Sequence, residues 1–226
     1  MANPFRSENS KVCQIIKSDK RDQDVITLTS RVDLLLGANA FEYEEKIKPL
    51  LAYPNEVLQI LIDRLPGEEN IHTKGGIMTT MAWMAEELTT DKVCSPEAIK
   101  LLNRSVDLII QTAKNTESIT TFQDVVISLN RFNYPDQHFI SKLDNLTQDV
   151  WSELTGPDTN VSISAFKLHD TGFESELLEH SLERLHKLGA DNREFLTTIS
   201  MQEPKLVGRL NSRIIYKARK WLNTGS

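Results

Sequence analysis

Six basic side chains lie close together near the end of the sequence, and their chemistry suits contact with phosphate groups. They are Lys205, Arg209, Arg213, Lys217, Arg219 and Lys220. Five of them follow each other at spacings of four, four, four and three residues, which places them along one side of an α-helix. At the rise of an α-helix these five form a ridge about 22 Å long. Such a row neutralises the phosphates of a nucleic acid, so we predict that the six residues bind RNA.

The charge of the chain is unevenly distributed. Its 226 residues carry 26 Lys and Arg against 32 Asp and Glu, which gives a formal net charge of -6. The last stretch, 203–226, holds the six bases and only one acid. This balance excludes a wholly basic nucleic-acid binder, so RNA contact must depend on the local patch. Three other interpretations of the patch stay open: a solvated face, a complement to the helix dipole, or a contact for an acidic protein or membrane surface.

A second group of reactive side chains falls on one helical face at spacings of four and three. Glu179, Glu183 and His186 are potential metal ligands, but one helix rarely completes a metal site and no second set of Glu or His repeats this spacing. We interpret the group as an acidic face in solvent and predict no metal site. The HExxH, GxSxG, P-loop and dinucleotide-binding patterns are absent. We therefore predict a protein that is not an enzyme, without catalytic residues, cofactor or small-molecule substrate.

The elements that must position these residues are predicted to be helices. Apolar residues recur at helical spacing along most of the chain, and no segment shows the alternation of a strand. Ser95 followed by proline predicts a capped helix start, whereas the glycine pair Gly75-Gly76 is interpreted as a loose one. Capping boxes predict helix starts at Thr120 and Asp191, and Leu188-Gly189 predicts a helix end.

One part of the chain repeats. The segment Ser128–Leu146 returns 39 positions later, without a gap, as Lys167–Leu185. Each copy has an apolar helix, a polar elbow with one aromatic residue, and a second helix with apolar residues at i, i+4 and i+7. The matched pairs are Leu129 and Leu168, Tyr134 and Phe173, Phe139 and Leu178, Leu143 and Leu182, and Leu146 and Leu185. The alternative explanation is the rhythm that any two amphipathic helices share.

A period of about 38–40 residues made of two helices is typical of an α-solenoid. We therefore predict an all-α fold in which roughly ten helices stack as helix pairs, with leucines buried between the layers. These leucines are Leu129, Leu143, Leu168 and Leu182. Residues 1–23 are predicted to form a polar N-terminal arm and residues 24–222 a single helical-repeat domain, whose basic C-terminal helix spans 204–222. The longest uncharged stretch in the middle, Gly75–Ala85, is far shorter than the roughly 20 apolar residues of a membrane helix, so no membrane partner is expected.

The run SLNRFNYPDQHFISKLDNL, with its Tyr-Pro-Asp elbow and its second copy, resembles the helical repeats of octotricopeptide repeat proteins and of the FAST kinase-like and RAP-domain proteins of organelles. The resemblance covers residues from about 118 to 188; in the second copy, Phe173-Glu174-Ser175 stands where the first has Tyr-Pro-Asp. In those families stacked helix pairs bind organellar RNA and act in its processing, stability or translation, or in ribosome assembly. The resemblance implies an RNA-binding component of a mitochondrial or other organellar ribonucleoprotein, with further protein partners.

Two other function classes remain. The chain is alternatively a HEAT-like or armadillo-like scaffold that binds protein partners without touching RNA, in which case its acidic faces would bind basic partners and a cytoplasmic location is the default. A viral or bacterial helical nucleoprotein or effector is the third possibility. The segment before residue 24 mixes acids and bases and shows neither the apolar core of a signal peptide nor the composition of a transit peptide.

Overall fold

The computed structural model describes residues 27–38, 40–90, 94–155, 173–202 and 212–224. Within these ranges all regular structure is helical, so the predicted all-α class is confirmed there. The described residues form ten α-helices: α1 (27–36), α2 (Ala40–Ile47), α3 (Pro54–Arg64), α4 (Ile71–Thr89), α5 (Pro96–Asn115), α6 (Ile119–Arg131), α7 (Gln137–Thr155), α8 (Phe173–Lys187), α9 (Arg193–Ser200) and α10 (Ser212–Thr224). The predicted arm over 1–23 lies outside the described residues.

Polar side chains explain where several helices begin. Asn70 Oδ1 accepts hydrogen bonds from the amides of His72 and Thr73 at the start of α4. Ser95 Oγ accepts one from the amide of Ala98, which confirms the predicted cap of α5. In both helices the side-chain oxygen replaces the carbonyl that a first-turn amide lacks.

Three predicted helix starts are wrong by a few residues. Helix α4 begins at Ile71 rather than at the glycine pair 75–76, because Asn70 caps it one turn earlier. Helix α6 is capped by Ser118, which accepts from the amide of Thr121, so Thr120 lies inside the helix. Helix α9 follows Asn192 rather than Asp191, and the Asn192 side chain makes no capping hydrogen bond.

Gly75 allows helices α4 and α6 to approach closely. A Cβ atom at this position would lie 2.0 Å from Asp124 Oδ2, so no side chain fits while the carboxylate stays in place. Burial of Asp124 raises the pKa of its carboxyl group. Nearby, the Arg131 guanidinium of α6 lies 4.2 Å from the ring centroid of Trp83 on α4, and its Nη1 is 3.3 Å from Glu86 Oε2.

The first copy of the repeat has the predicted helix, elbow and helix, formed by α6 and α7. Its elbow aromatic, Tyr134, is buried and donates a hydrogen bond of 2.7 Å to Asn103 Oδ1 on α5. The Tyr134 ring also stacks on Phe139, the first buried residue of α7, with 5.1 Å between the centroids. The elbow therefore joins three helices, since it lies between α6 and α7 and binds α5.

The second copy matches the first in burial but begins its second helix earlier. Phe139, Leu143 and Leu146 of α7 are buried, and so are their counterparts Leu178, Leu182 and Leu185 of α8. Helix α8 starts at Phe173, three residues before the position that an offset of 39 from Gln137 would give. Pro135 interrupts the first elbow, whereas its counterpart Glu174 has a backbone N–H and is compatible with helix. Of the leucines predicted to be buried, Leu129, Leu143 and Leu182 are confirmed, and Leu168 lies outside the described residues.

The helices pack mainly on neighbours one or two positions away along the chain. Helix α3 contacts α4 and α5, helix α5 contacts α6 and α7, and α4 contacts α6. Helix α8 contacts α6, α7 and α10, and α9 packs along α10. Among the described residues, no helix combines the length and apolar character that crossing a bilayer requires.

Helix α8 ends in the predicted glycine cap. Gly189 has a φ of 70°, which is the left-handed conformation that glycine adopts most readily. Its amide donates to His186 O at 3.1 Å, and the amide of Ala190 donates to Leu185 O at 3.0 Å. This pair of bonds is a Schellman motif. The turn leads directly into α9, whose first residues therefore follow the end of α8 closely.

Candidate functional site

Four of the six predicted RNA-binding residues lie on α10, and Lys205 and Arg209 lie outside the described residues. The apolar residues Ile214, Ile215 and Ala218 are buried and attach the helix to the core. The opposite side of α10 is exposed. It carries Arg213, Tyr216, Arg219 and Lys220. The helix thus has one buried apolar side and one exposed side that is mostly basic.

Tyr216 occupies the middle of this exposed side and is 68% exposed. It follows Arg213 by three residues and precedes Lys220 by four, so the three side chains are neighbours on the helix surface. Tyr216 is absent from the residues predicted above, because that prediction depends on charge alone. Its spacing from the bases is the signal in the sequence that identifies it.

Lys217 faces α8 instead. Its Nζ lies 2.6 Å from Glu179 Oε1 and 3.1 Å from Glu183 Oε2, and only a quarter of the side chain is exposed. Arg213 also reaches Glu179, with Nε 3.0 Å from Oε1, although 67% of the Arg213 side chain stays exposed. The two residue groups that the sequence separates, the basic stripe and the acidic face, are therefore in direct contact.

This contact corrects the expectation that the acidic face is in solvent. Glu179 is only 7% exposed, because α10 covers it and supplies two cations to its carboxylate. Glu183 is more accessible and lies between Lys187, at 3.0 Å, and Lys217. The spacing of the two glutamates therefore serves the attachment of α8 to α10.

The charge pairing shifts the ionisation of its members. Hydrogen bonds from Lys187 and Lys217 lower the pKa of Glu183 to about 2. Burial alone would lower the pKa of Lys217, but its hydrogen bonds to Glu179 and Glu183 outweigh burial, and the pKa of Lys217 is raised. The lowered pKa of Glu183 and the raised pKa of Lys217 both favour the charged forms, so this ion pair is ionised at neutral pH.

His186, the third member of the candidate metal group, has a different partner. Its imidazole ring stacks on the indole of Trp221, with 5.2 Å between the centroids and 26° between the planes. In the part of the chain that the structure describes, no three of the side chains His, Cys, Asp and Glu are arranged to hold a metal ion. The spacing of Glu179, Glu183 and His186 suggested metal ligands, but His186 packs against Trp221 of α10 instead.

Arg219 contacts helix α9. Its Nε donates a hydrogen bond of 2.9 Å to Ser200 O, the last residue of α9, and the side chain remains exposed. A cation at the carboxyl end of a helix also complements the helix dipole. Arg219 therefore makes a structural contact and still belongs to the exposed basic side of α10.

A separate apolar cleft lies beside α6. It has a volume of about 490 Å³ and is lined by side chains of α6 together with His180 of α8. Ile127, one of the lining residues, is 51% exposed although it is a large aliphatic side chain. Besides His180, the polar side chains of the lining are Gln123, Asp124, Asn130 and Arg131.

Comparison of the chain with known protein families, with curated proteins and with solved structures found no match. The resemblance of residues 118–188 to the organellar helical repeats consequently stays a prediction.

Proposed function

We propose that this chain is a non-catalytic helical protein that binds single-stranded RNA on the exposed side of α10. The observation that carries the proposal is the exposed ring of Tyr216, set among Arg213, Arg219 and Lys220. Proteins that bind single strands combine cations along the phosphate backbone with aromatic rings on which bases stack. The four residues supply both components on one helix.

Lys217 has another role in this proposal. Its ammonium group is held by Glu179 and Glu183, so moving it to a phosphate would leave a buried carboxylate with less compensation. We assign Lys217 to the attachment of α10, and the phosphate contacts to the three more exposed bases. Lys205 and Arg209 remain predicted extensions of the same ridge.

We further infer that the helix pairs stack as an α-solenoid. The support is the pattern of contacts before residue 156, in which α3 packs on α5 and α5 on α7, while α4 packs on α6. Contacts between every second helix are what two layers of stacked pairs produce. The organellar ribonucleoprotein setting of the proposal rests on the resemblance of residues 118–188 alone.

Two variants of the whole chain test the proposal, each assayed with a single-stranded oligoribonucleotide at several salt concentrations. Arg219→Gln with Lys220→Gln removes two phosphate contacts, so the slope of log K against log salt should become shallower by about 1.4. Tyr216→Ala should weaken binding roughly 5-fold to 100-fold and leave this slope unchanged, because stacking releases no counterions.

Matched controls are available on α5 and just before α3. Lys100→Gln with Arg104→Gln removes the same charge from an exposed side of α5, and Tyr53→Ala removes an exposed ring, so neither should change the affinity for RNA. The proposal fails if the wild-type chain does not bind RNA at low salt, or if the α5 variant changes the slope as much as the α10 variant does.

The second candidate function is a protein-interaction scaffold, and the cleft beside α6 favours it. An exposed Ile127 at the edge of an apolar cleft is typical of a surface that buries against a partner. Purification from cells with and without nuclease separates the two functions. An RNA-dependent complex should dissociate after nuclease treatment, whereas a scaffold complex should survive it and be lost on Ile127→Lys.

A further inference from the structure

The cleft beside α6 combines buried and exposed apolar side chains. Phe122 and Val126, two of its lining residues, are 1% and 7% exposed, whereas Ile127 is 51% exposed. One exposed aliphatic residue is ordinary on a protein surface, but here it borders a cleft of about 490 Å³, a volume within the range of ligand sites. The cleft therefore has room for side chains that would cover Ile127.

The same cleft contains a carboxylate that lacks a partner. Asp124 lines the cleft and lies against Gly75 of α4. Burial raises the pKa of Asp124, no hydrogen bond offsets this burial, and only the charge of the exposed His72 counteracts it. A carboxylate that loses part of its hydration is normally paired with a donor or a cation. Among the described residues Asp124 has no such pair, so a cation from outside the chain would stabilise it.

Arg131, the arginine of the cleft, is already paired. Its guanidinium lies over the ring of Trp83, and its Nη1 is 3.3 Å from Glu86 Oε2. Arg131 follows Asp124 by seven residues, which corresponds to about 10 Å along the helix. The two charges therefore lie at separate ends of the cleft. The positive one is compensated by Glu86, and the negative one is available to a ligand.

We propose that this cleft docks a segment of a partner protein that places an apolar side chain on Ile127 and the cation of a Lys or Arg on Asp124. Asp124 and Ile127 are three residues apart on α6, so the matching groups of the partner are about one helical turn apart. Amphipathic helices bind apolar grooves in this way, and the aliphatic part of a Lys or Arg covers apolar surface while its head binds an anion. The proposal specifies the partner of the scaffold function and rests on that function. It is independent of RNA binding on α10.

The first test is a selection from a displayed library of random peptides on the wild-type chain, with soluble Ile127→Ser protein as competitor. This competitor removes peptides that bind elsewhere, and serine adds no charge that would bias the selection. The remaining peptides should be enriched in Lys or Arg three or four residues from a large apolar residue. Peptides without an excess of bases, or no peptide that distinguishes Ile127→Ser from wild type, would overturn the proposal.

The second test measures the role of Asp124 with one selected peptide and with the same peptide carrying glutamate in place of its base. Asp124→Asn should weaken binding of the basic peptide roughly tenfold and leave the acidic one unaffected. Asparagine keeps the side-chain shape and removes an unpaired charge, so the melting temperature should not fall. Asp144→Asn on α7, a half-buried carboxylate outside this cleft, is the control and should keep the wild-type affinity. Equal losses in the two variants would show a long-range charge effect and overturn the proposal.

Other occupants of the cleft give different results. A wild-type dimer that Ile127→Ser dissociates in sedimentation would identify a second copy of the chain. Tighter peptide binding by the full chain carrying Ile15→Asp and Ile16→Asp would identify its own N-terminal segment. Either result would overturn the proposal.

The scaffold function is judged separately, by the purification from cells. A nuclease-resistant complex that is lost on Ile127→Lys, together with selected peptides that lack bases, would retain the scaffold function and reject the basic partner. A complex that nuclease dissociates completely would reject the scaffold function itself.

Discussion

Lys217 Nζ on α10 lies 2.6 Å from Glu179 Oε1 on α8, and this carboxylate is almost completely buried. The contact joins the basic stripe to an acidic residue 38 positions earlier in the chain. Lys217 is largely covered by this contact, whereas Arg213, Arg219 and Lys220 stay exposed, although Arg213 also reaches Glu179 and Arg219 binds Ser200 O. This contact and others elsewhere in the chain each give a testable prediction.

Replacing Lys217 by Met should lower the free energy of unfolding by about 1–3 kcal/mol, because the buried Glu179 carboxylate loses its closest cation and keeps only Arg213. Urea unfolding measures the loss. Lys187→Met is the control: that lysine binds the more exposed Glu183, and an exposed ion pair contributes only ~0–1 kcal/mol. Equal losses in both variants would show that the burial of Glu179 does not increase the contribution of its ion pair to the free energy of unfolding.

The protein should lose stability in acid as Glu183 becomes protonated. Its pKa in the folded chain is lowered from 4.5 to about 2, so the stabilisation is present above pH 4.5 and is lost as the pH falls through this range. The melting temperature of wild type should therefore fall more steeply between pH 4.5 and pH 2 than that of Glu183→Gln, which cannot titrate there. Parallel curves for the two proteins would contradict the lowered pKa.

Gly75→Ala should stabilise the chain less than the better helix propensity of alanine implies. The new Cβ would clash with the carboxylate of Asp124, so this side chain must turn away. Asp124→Ala removes the two closest atoms, and the remaining contact is 3.5 Å. In that background Gly75→Ala should stabilise, by up to about 1 kcal/mol. A thermal double-mutant cycle measures the difference between the two backgrounds, and additive effects would refute the close approach.

Tyr134→Phe should cost about 1 kcal/mol, because Asn103 loses the hydrogen bond that ties the elbow to α5 while the ring stack on Phe139 is retained. Chemical unfolding gives the value, and Tyr53→Phe, on an exposed ring, is the control. A loss no larger than that of the control would mean that the elbow is held by packing alone.

Periodicity predicts the helices and much of the core. Leu129, Leu143 and Leu182 are buried as expected, since an apolar stripe at helical spacing has to be covered wherever the helix packs. The end of α8 at Gly189 was equally predictable from a glycine after a helical stripe. These features depend on residues close together in the sequence.

Helix starts and pairing partners were less predictable. Several polar residues near Thr120 and Asp191 are competent caps, and the choice among them depends on how the neighbouring helices pack. The close approach at Gly75 involves Asp124, which lies on another helix. The contact of Lys217 with Glu179 likewise depends on how two helices are placed relative to each other, and the residue spacing within one helix gives no information about that placement.

The packing of each helix mainly on neighbours one or two positions away also bears on how the chain opens in solution. Each described helix is held mainly by a few nearby helices rather than by all parts of the chain. Such an arrangement also opens in sections. Helix α10 is joined to α8 and α9, whereas α4 lies among α3, α5 and α6. Hydrogen exchange should therefore be faster for the amides of α10 than for those of α4, and α10 should open to solvent while the centre of the chain remains protected.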